Sequence, residues 1–240
     1  MAQLSRESDS PTLIEFKNRL QSEWTRRVAC QNQCIPPDSC TCERHIVHVE
    51  ALKAWWAWKA SESTHQTNLD RLLDEMPATE HRMTPLSKSQ MLFTGDHSCL
   101  LVFSLLLNQG RGHLIDLFYD SGITDKYLYM MRSDSYQNLH DNLAKILDPT
   151  ERDLIIQDFQ KERWAYCPLE LTLHMRVHLI GTMVILPFCH KIKLGDKRDT
   201  ASLYWVAIQK DLISDDELKD ALKDSVYDDD EFGEVKLTVK

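Results

Sequence analysis

The chain has 240 residues, 42% of them hydrophobic and 27% charged, which is the composition of an ordinary globular protein with a sizeable core. Glycine (7) and proline (8) are scarce, so a loop-rich or repetitive all-β fold is disfavoured. The formal net charge of −9 implies an acidic surface that repels phosphates, and this disfavours general binding to nucleic acid or to anionic membranes.

The N-terminal stretch, MAQLSRESDSPTLIEF, lacks the apolar region of a secretory signal. The longest apolar run, CLLVFSLLL at 99–107, is far shorter than the roughly 20 residues of a membrane-spanning helix. We therefore expect a protein of the cytoplasm or nucleus that is not secreted and has no transmembrane segment. Its seven cysteines are then expected to be thiols or metal ligands.

The first predicted helix begins at a capping box, Thr12-Leu-Ile-Glu15, and runs to about residue 29, because apolar residues recur every three or four positions. A cysteine-rich segment follows, in which Pro36 and Pro37 prevent regular structure. Helical spacing resumes over 43–60. The WWAW cluster at 55–58 covers more than one face of that helix, which predicts burial on two sides.

The apolar run at 99–107 predicts a further helix that Asp96 or Ser98 could cap and that Gly110 and Gly112 end or bend. The sequence Gly110-Arg-Gly112-His113 also invites a phosphate-loop interpretation. Such loops follow a strand and open a helix, whereas this one follows a helical run, so a helix bend is the preferred interpretation.

Two more helices precede a change of character near residue 183. One is predicted to start at Ser135, and the next at Asp148–Pro149, which places a proline at the first helical position. The chain is therefore predicted to be mainly α, with a helical domain over residues 1–182.

Residues 183–240 are predicted to form a small α+β segment. The stretches MVILPFCHKIKLG and ASLYWVAIQ are rich in β-branched and aromatic residues and are separated by a polar turn. Ser214-Asp-Asp-Glu217 is a second capping box, which predicts a short acidic helix. The last seven residues, EVKLTVK, alternate in the manner of a strand.

A possible metal site lies in the cysteine-rich segment. Zinc prefers four soft ligands in a tetrahedron, and a proline-held loop against a regular element could supply them. The candidate ligands are Cys34, Cys40, Cys42 and His45, with Cys30 and His48 as substitutes. The spacing matches none of the regular CxxC pairs, so a plain thiol-rich loop is the alternative.

No catalytic residue is predicted. His174 and His178 are one helical turn apart, but Met175 stands where an HExxH metalloprotease has its glutamate, so structural histidines are preferred. The lone thiols Cys99, Cys167 and Cys189 have no nucleophile-elbow motif around them and are interpreted as buried.

Two stretches resemble the N-terminal region of fungal serine/threonine kinase-like proteins, in which a helical domain precedes the kinase domain. They are CLLVFSLLLNQGRGHLIDLFYDSGITDKYL and the segment from FQKERWAYCPLEL through ILPFCHKIKLGDKRDTASLYWVAIQKDLI. The resemblance implies that Leu194-Gly195 starts a glycine-rich loop over ATP and that residues 206–208 lie on the second kinase strand. It also implies that Lys240 is the ATP-anchoring lysine.

The departures from that family exclude an active kinase. Lys197 and Thr200 stand where later loop glycines belong, and the catalytic-loop and metal-binding aspartates are absent. The resulting hypothesis is a non-catalytic interaction or regulatory protein with a protein partner, resembling a kinase-flanking domain. The alternatives are a metal-binding protein or enzyme that uses residues 30–48, and a helical domain that binds an unknown small molecule.

Overall fold

The computed structural model describes residues 10–28, 44–61, 64–75, 98–128, 133–172, 185, 188–194, 203–222 and 234–239. The fold is mainly α, as predicted. The chain divides into two compact units: the first contains Met1–Trp24 and His48–Cys167, and the second contains Thr25–Val47 and Pro168–Lys240. The predicted boundary between residues 182 and 183 lies outside the described residues and stays a prediction.

The described part of the first unit contains seven α-helices and one short β-hairpin. The helices are α1 (Pro11–Arg19), α2 (Val49–Ala57), α3 (Asn68–Glu75), α4 (Leu100–Asn108), α5 (Ile115–Asp120), α6 (Ser133–Leu143) and α7 (Pro149–Glu162). The hairpin of the first unit consists of β3 (Lys59–Ser61) and β4 (Thr64–Thr67). The second unit contains five strands and one helix in its described residues: β1 (Thr25–Val28), β2 (Arg44–Val47), β5 (Phe188–Leu194), β6 (Leu203–Gln209), α8 (Asp216–Ala221) and β7 (Glu234–Val239).

The start of α1 differs from the prediction by two residues. Ser10 is the N-cap, its Oγ accepts from the Leu13 N–H at 3.2 Å, and Pro11 occupies the first helical position. Thr12 is not a cap, because its N–H and hydroxyl both donate to the carboxylate of Glu75 at the end of α3, at 3.3 and 2.8 Å. The predicted capping box at Thr12 is therefore wrong.

The continuous helix predicted to residue 29 is also wrong. Helix α1 ends at Arg19, a single π-helical turn covers Leu20–Trp24, and the chain then becomes strand β1. Strand β1 pairs antiparallel with β2, whose residues 44–47 were predicted as helix. Pairing between segments distant in sequence supplies the backbone hydrogen bonds here, and it overrides a local helical period.

The core of the first unit forms around α4, whose side chains from Leu100 to Leu107 are all buried. An aromatic cluster lies within this core: Phe16, Trp24, Trp55, Trp56 and Phe103 are buried with neighbouring ring centroids 4.7–6.2 Å apart. The Trp56 indole N–H donates to the Ser104 hydroxyl at 2.9 Å, so this buried donor is satisfied.

Two predicted helix boundaries are confirmed. Gly110 has a φ of +70° and ends α4, because its N–H and that of Arg111 bond back to the carbonyls of Leu107 and Leu106. Asp148 caps α7, with Pro149 at the first helical position, and its carboxylate accepts the N–H groups of Thr150 and Glu151. Helix α6 starts at Ser133, two residues before the predicted start.

The second unit contains two antiparallel sheets in its described residues. Strands β1 and β2 form one sheet, and β5, β6 and β7 form the other in that order, with β6 in the centre. The predicted strands of residues 183–240 are thus confirmed where they are described, and the side chains of Val206 and Ile208 on β6 are buried. Helix α8 is capped by Asp215 rather than by the predicted Ser214.

Candidate functional site

The predicted zinc ligands Cys30, Cys34, Cys40 and Cys42 lie outside the described residues. His45 is described, and it is exposed on β2 opposite Arg27. Within the described part of the chain, no group of three or more His, Cys, Asp and Glu side chains is arranged to hold a metal ion. The predicted ligand set therefore stays a prediction.

His48, the second substitute ligand, has a structural role at the start of α2. Its side chain is only 7% exposed, and its Nδ1 accepts the Ala51 N–H at 3.0 Å, which makes it the N-cap of the helix. Its backbone N–H donates to the Trp24 carbonyl at 2.7 Å. A zinc ion on Nδ1 would displace the helix cap, so His48 is a poor ligand by that nitrogen.

The register of β1 and β2 bears on the cysteine-rich segment. Val28 pairs with Arg44, so the two residues at which the chain leaves β1 and enters β2 lie directly opposite each other. Paired strands are about 5 Å apart. The two described residues that flank the cysteine-rich segment are therefore neighbours, next to the exposed His45.

The other predicted thiols and imidazoles contribute no reactive group in the described residues. Cys99 is buried, donates to the Ile123 carbonyl, and has a pKa raised by burial and by the nearby Asp125 carboxylate. Burial also raises the pKa of Cys167 to about 12, against the opposing effect of Arg163. Both thiols are therefore protonated at neutral pH and weak nucleophiles. His174, His178 and the side chain of Cys189 lie outside the described residues.

A carboxylate that sequence reasoning missed holds the first turn of α4. One oxygen of Asp125 accepts the N–H groups of Leu101 and Val102 at 2.9 and 3.1 Å, and the other accepts the Ser98 hydroxyl at 2.7 Å. Burial raises the pKa of Asp125 from its ordinary 3.8 to about 6, although these hydrogen bonds act in the opposite direction. Asp125 is a helix cap supplied from 24 residues away, where no local sequence signal marks it.

Among the residues that the structure describes, Trp58 at the end of α2 is the most exposed large aromatic side chain. It is 54% exposed, whereas the other five tryptophans are buried or partly buried. Sequence reasoning placed it in a helix buried on two sides, and for Trp58 this is wrong. The backbone is held on both sides of the residue: its N–H donates to the Trp55 carbonyl, and its carbonyl accepts the Asn68 N–H at 3.0 Å.

Small and charged residues surround the exposed indole. Ala54, one helical turn before Trp58, and Ala57, directly before it, are both exposed. Exposed charges lie toward both ends of the helix, with Glu50 in its first turn, Lys53 in its middle and Lys59 just beyond its end. We call these residues the Trp58 surface: Glu50, Lys53, Ala54, Ala57, Trp58 and Lys59.

A separate apolar patch lies in the second unit. Ile192 and Leu194 are two residues apart on β5, so they share one face of the strand, and they are 56% and 42% exposed. Ile192 pairs with Trp205 on β6, whose side chain is partly exposed. This patch is aliphatic, in contrast to the Trp58 surface.

The residues that the kinase resemblance singles out are only partly described. Residues 206–208 lie on β6 and Leu194 ends β5, whereas Gly195, Lys197, Thr200 and Lys240 lie outside the described residues. No known protein family, characterised protein or solved structure matches this chain. In the described residues, the most apolar helix, α4, has nine residues, and no helix is long and apolar enough to cross a membrane.

Proposed function

We propose that this chain is a non-catalytic interaction or regulatory protein that works in the cytoplasm or nucleus by binding other proteins. The observation that carries the proposal is the exposure of Trp58 on a well-held helix end. Tryptophan is the residue type most enriched among the energetic centres of protein interfaces. Because both backbone groups of Trp58 are hydrogen-bonded, a partner would order little of the chain on binding.

The size of the effect supports this assignment. A tryptophan buries about 250 Å² when fully covered, so covering the exposed 54% of Trp58 would contribute about 3 kcal/mol at ~25 cal/mol per Å². That is the contribution expected of an interface anchor.

Affinity capture from cell extract, quantified by mass spectrometry, tests the proposal. The bait is the full chain as wild type, as Trp58→Ser and as Leu154→Ser. Leu154 is the matched control, because it is also a large apolar side chain, 50% exposed, in the same unit. We expect wild type and L154S to recover a reproducible protein partner, and a second copy of the chain counts as one. We expect W58S to lose that partner. Equal recovery with all three baits, or no reproducible partner for a chain that also stays monomeric in solution, would overturn the proposal.

We propose metal binding by the cysteine-rich segment as a second candidate function. The β1–β2 register supports it, because Val28 and Arg44, the described residues that flank the segment, pair with each other beside His45. The test is the metal content of purified, tag-free protein, with thermal unfolding measured with and without chelator. About one zinc per chain, with a large drop in Tm on chelation, is expected of a structural site. No bound metal and no chelator effect would leave a plain thiol-rich loop.

A further inference from the structure

We propose that the Trp58 surface binds a second copy of this chain, with the two α2 helices antiparallel across a two-fold axis near Ala54. This inference rests on the proposed function, because it names the partner of the same surface. It is drawn from the order of charges along α2, from the two exposed alanines and from the exposed indole.

Two charges of the Trp58 surface, Glu50 on α2 and Lys59 at the start of β3, are complementary in the antiparallel arrangement, whereas Lys53 lies next to the axis and faces its own copy. Glu50 lies in the first turn and Lys59 just beyond the last, and both are exposed. A two-fold axis near Ala54 places Glu50 of one copy opposite Trp58 and Lys59 of the second copy. The symmetry repeats each contact, so one dimer contains two Glu50–Lys59 pairs. A parallel arrangement would instead oppose like charges.

The existing ion pair of Glu50 does not prevent this exchange. Its carboxylate lies 3.0 Å from the ammonium group of Lys53, with the two side chains 62% and 46% exposed. Exposed pairs of this kind contribute little to stability, so Glu50 can change its partner at small cost. Lys53 then remains close to the same carboxylate in the dimer.

The small side chains beside Trp58 permit close approach. Ala54 and Ala57 are exposed, and packed helices approach to about 8 Å only where the side chains between them are small. Each indole, opposite Glu50 of the other copy, would then reach back along the helix and cover Ala54 of that copy. Each copy thereby buries its exposed apolar ring without moving its backbone.

The same surface also sets the strength of the association. Helix α2 has nine residues and is about 13 Å long. A contact of that length buries less than the ~1,200 Å² of a standard stable interface. We therefore expect a weak, reversible dimer, with a Kd on the order of 10–100 µM.

The test is sedimentation velocity of the full chain from about 5 to 500 µM, a range that brackets this Kd. The variants are Glu50→Lys and Lys59→Glu, each alone and as an equimolar mixture. In a dimer of either variant alone, residues 50 and 59 carry like charges in both symmetric contacts, so each variant should dimerise about tenfold more weakly than wild type. In the mixture both pairs have opposite signs again, so dimerisation should return. Lys161→Glu, an exposed charge reversal on α7, is the matched control and should behave as wild type.

Each outcome decides between the two proposals. The self-association proposal is overturned if wild type stays monomeric at the highest concentration. It is also overturned if the mixture fails to dimerise although circular dichroism shows that both variants are folded. If the monomeric chain still captures another protein through Trp58, the proposed function stands and only the second copy is excluded. If it captures none, both proposals fail. Dimerisation that is equal in all variants places the interface elsewhere.

Discussion

The stability of this protein should fall between pH 5 and pH 7 because of Asp125. Its pKa is about 6 in the folded protein, against 3.8 as its ordinary value, because burial disfavours the charged carboxylate. A folded pKa above the unfolded one means that the folded state binds more protons over this range. The stabilisation is complete below about pH 3.8 and is lost as the pH rises through about 6.

The magnitude follows from these two values. Linkage gives a contribution of Asp125 to the free energy of unfolding that is about 1 kcal/mol smaller at pH 7 than at pH 5. Asp125→Asn removes the titration and keeps an oxygen that can accept the N–H groups of Leu101 and Val102. The difference in unfolding free energy between pH 5 and pH 7 should therefore change by about 1 kcal/mol in D125N.

Urea unfolding followed by tryptophan fluorescence at pH 5, 6 and 7 measures this difference directly. Asp153→Asn, which removes a 65% exposed carboxylate from α7, is the matched control. Asp125→Ala, which leaves the two N–H groups without their acceptor, should be about 2 kcal/mol less stable than D125N at every pH. Identical pH profiles for wild type and D125N would refute the reasoning, since the carboxyl would then have no raised pKa.

Three further predictions concern single side chains and are checked by the same urea assay. Ser104→Ala should cost about 1–3 kcal/mol, because the buried Trp56 indole N–H loses its acceptor; an unchanged midpoint would contradict this. Gly110→Ala should cost about 1 kcal/mol from its positive φ alone, since no atom lies within 4 Å of an added Cβ. Tyr166→Phe should be neutral or stabilising, because the buried hydroxyl has no hydrogen-bond partner among the described residues; marked destabilisation would reveal one.

Features that depend on neighbouring residues could be predicted from the sequence. The cap at Asp148–Pro149 and the end of α4 at Gly110 each arise within one helical turn, and both are confirmed. Strands β5 and β6 could also be predicted, because β-branched and aromatic residues flank a polar turn there.

Features that depend on distant segments could not be predicted. The apolar spacing through Val28 continues the period of α1, but pairing with residues 44–47 converts this end into a strand. Asp125 reaches the first turn of α4 from 24 residues away, so no capping pattern marks it. Thr12 matches a capping pattern in the sequence, but in the fold its hydroxyl donates to Glu75 of α3.

The Trp58 surface was missed for a different reason. A sequence pattern of apolar residues counts every tryptophan as a core residue, and Trp55 and Trp56 are indeed buried. Trp58 does not, because the helix ends there and its backbone turns to the extended conformation that leads into β3. The exposure of one indole in a cluster of three is therefore a property of the helix end.

The second unit is assembled from two pieces of chain, and this has a consequence for synthesis. The β1–β2 hairpin lies beside β5, which begins only at Phe188. More than about 100 residues must be translated between them, which takes on the order of ten seconds at typical elongation rates. During that time the two-stranded β1–β2 sheet lacks the neighbouring sheet of β5, β6 and β7. A ribosome that stalls before residue 188 would therefore expose an orphan hairpin, the kind of substrate that chaperones recognise.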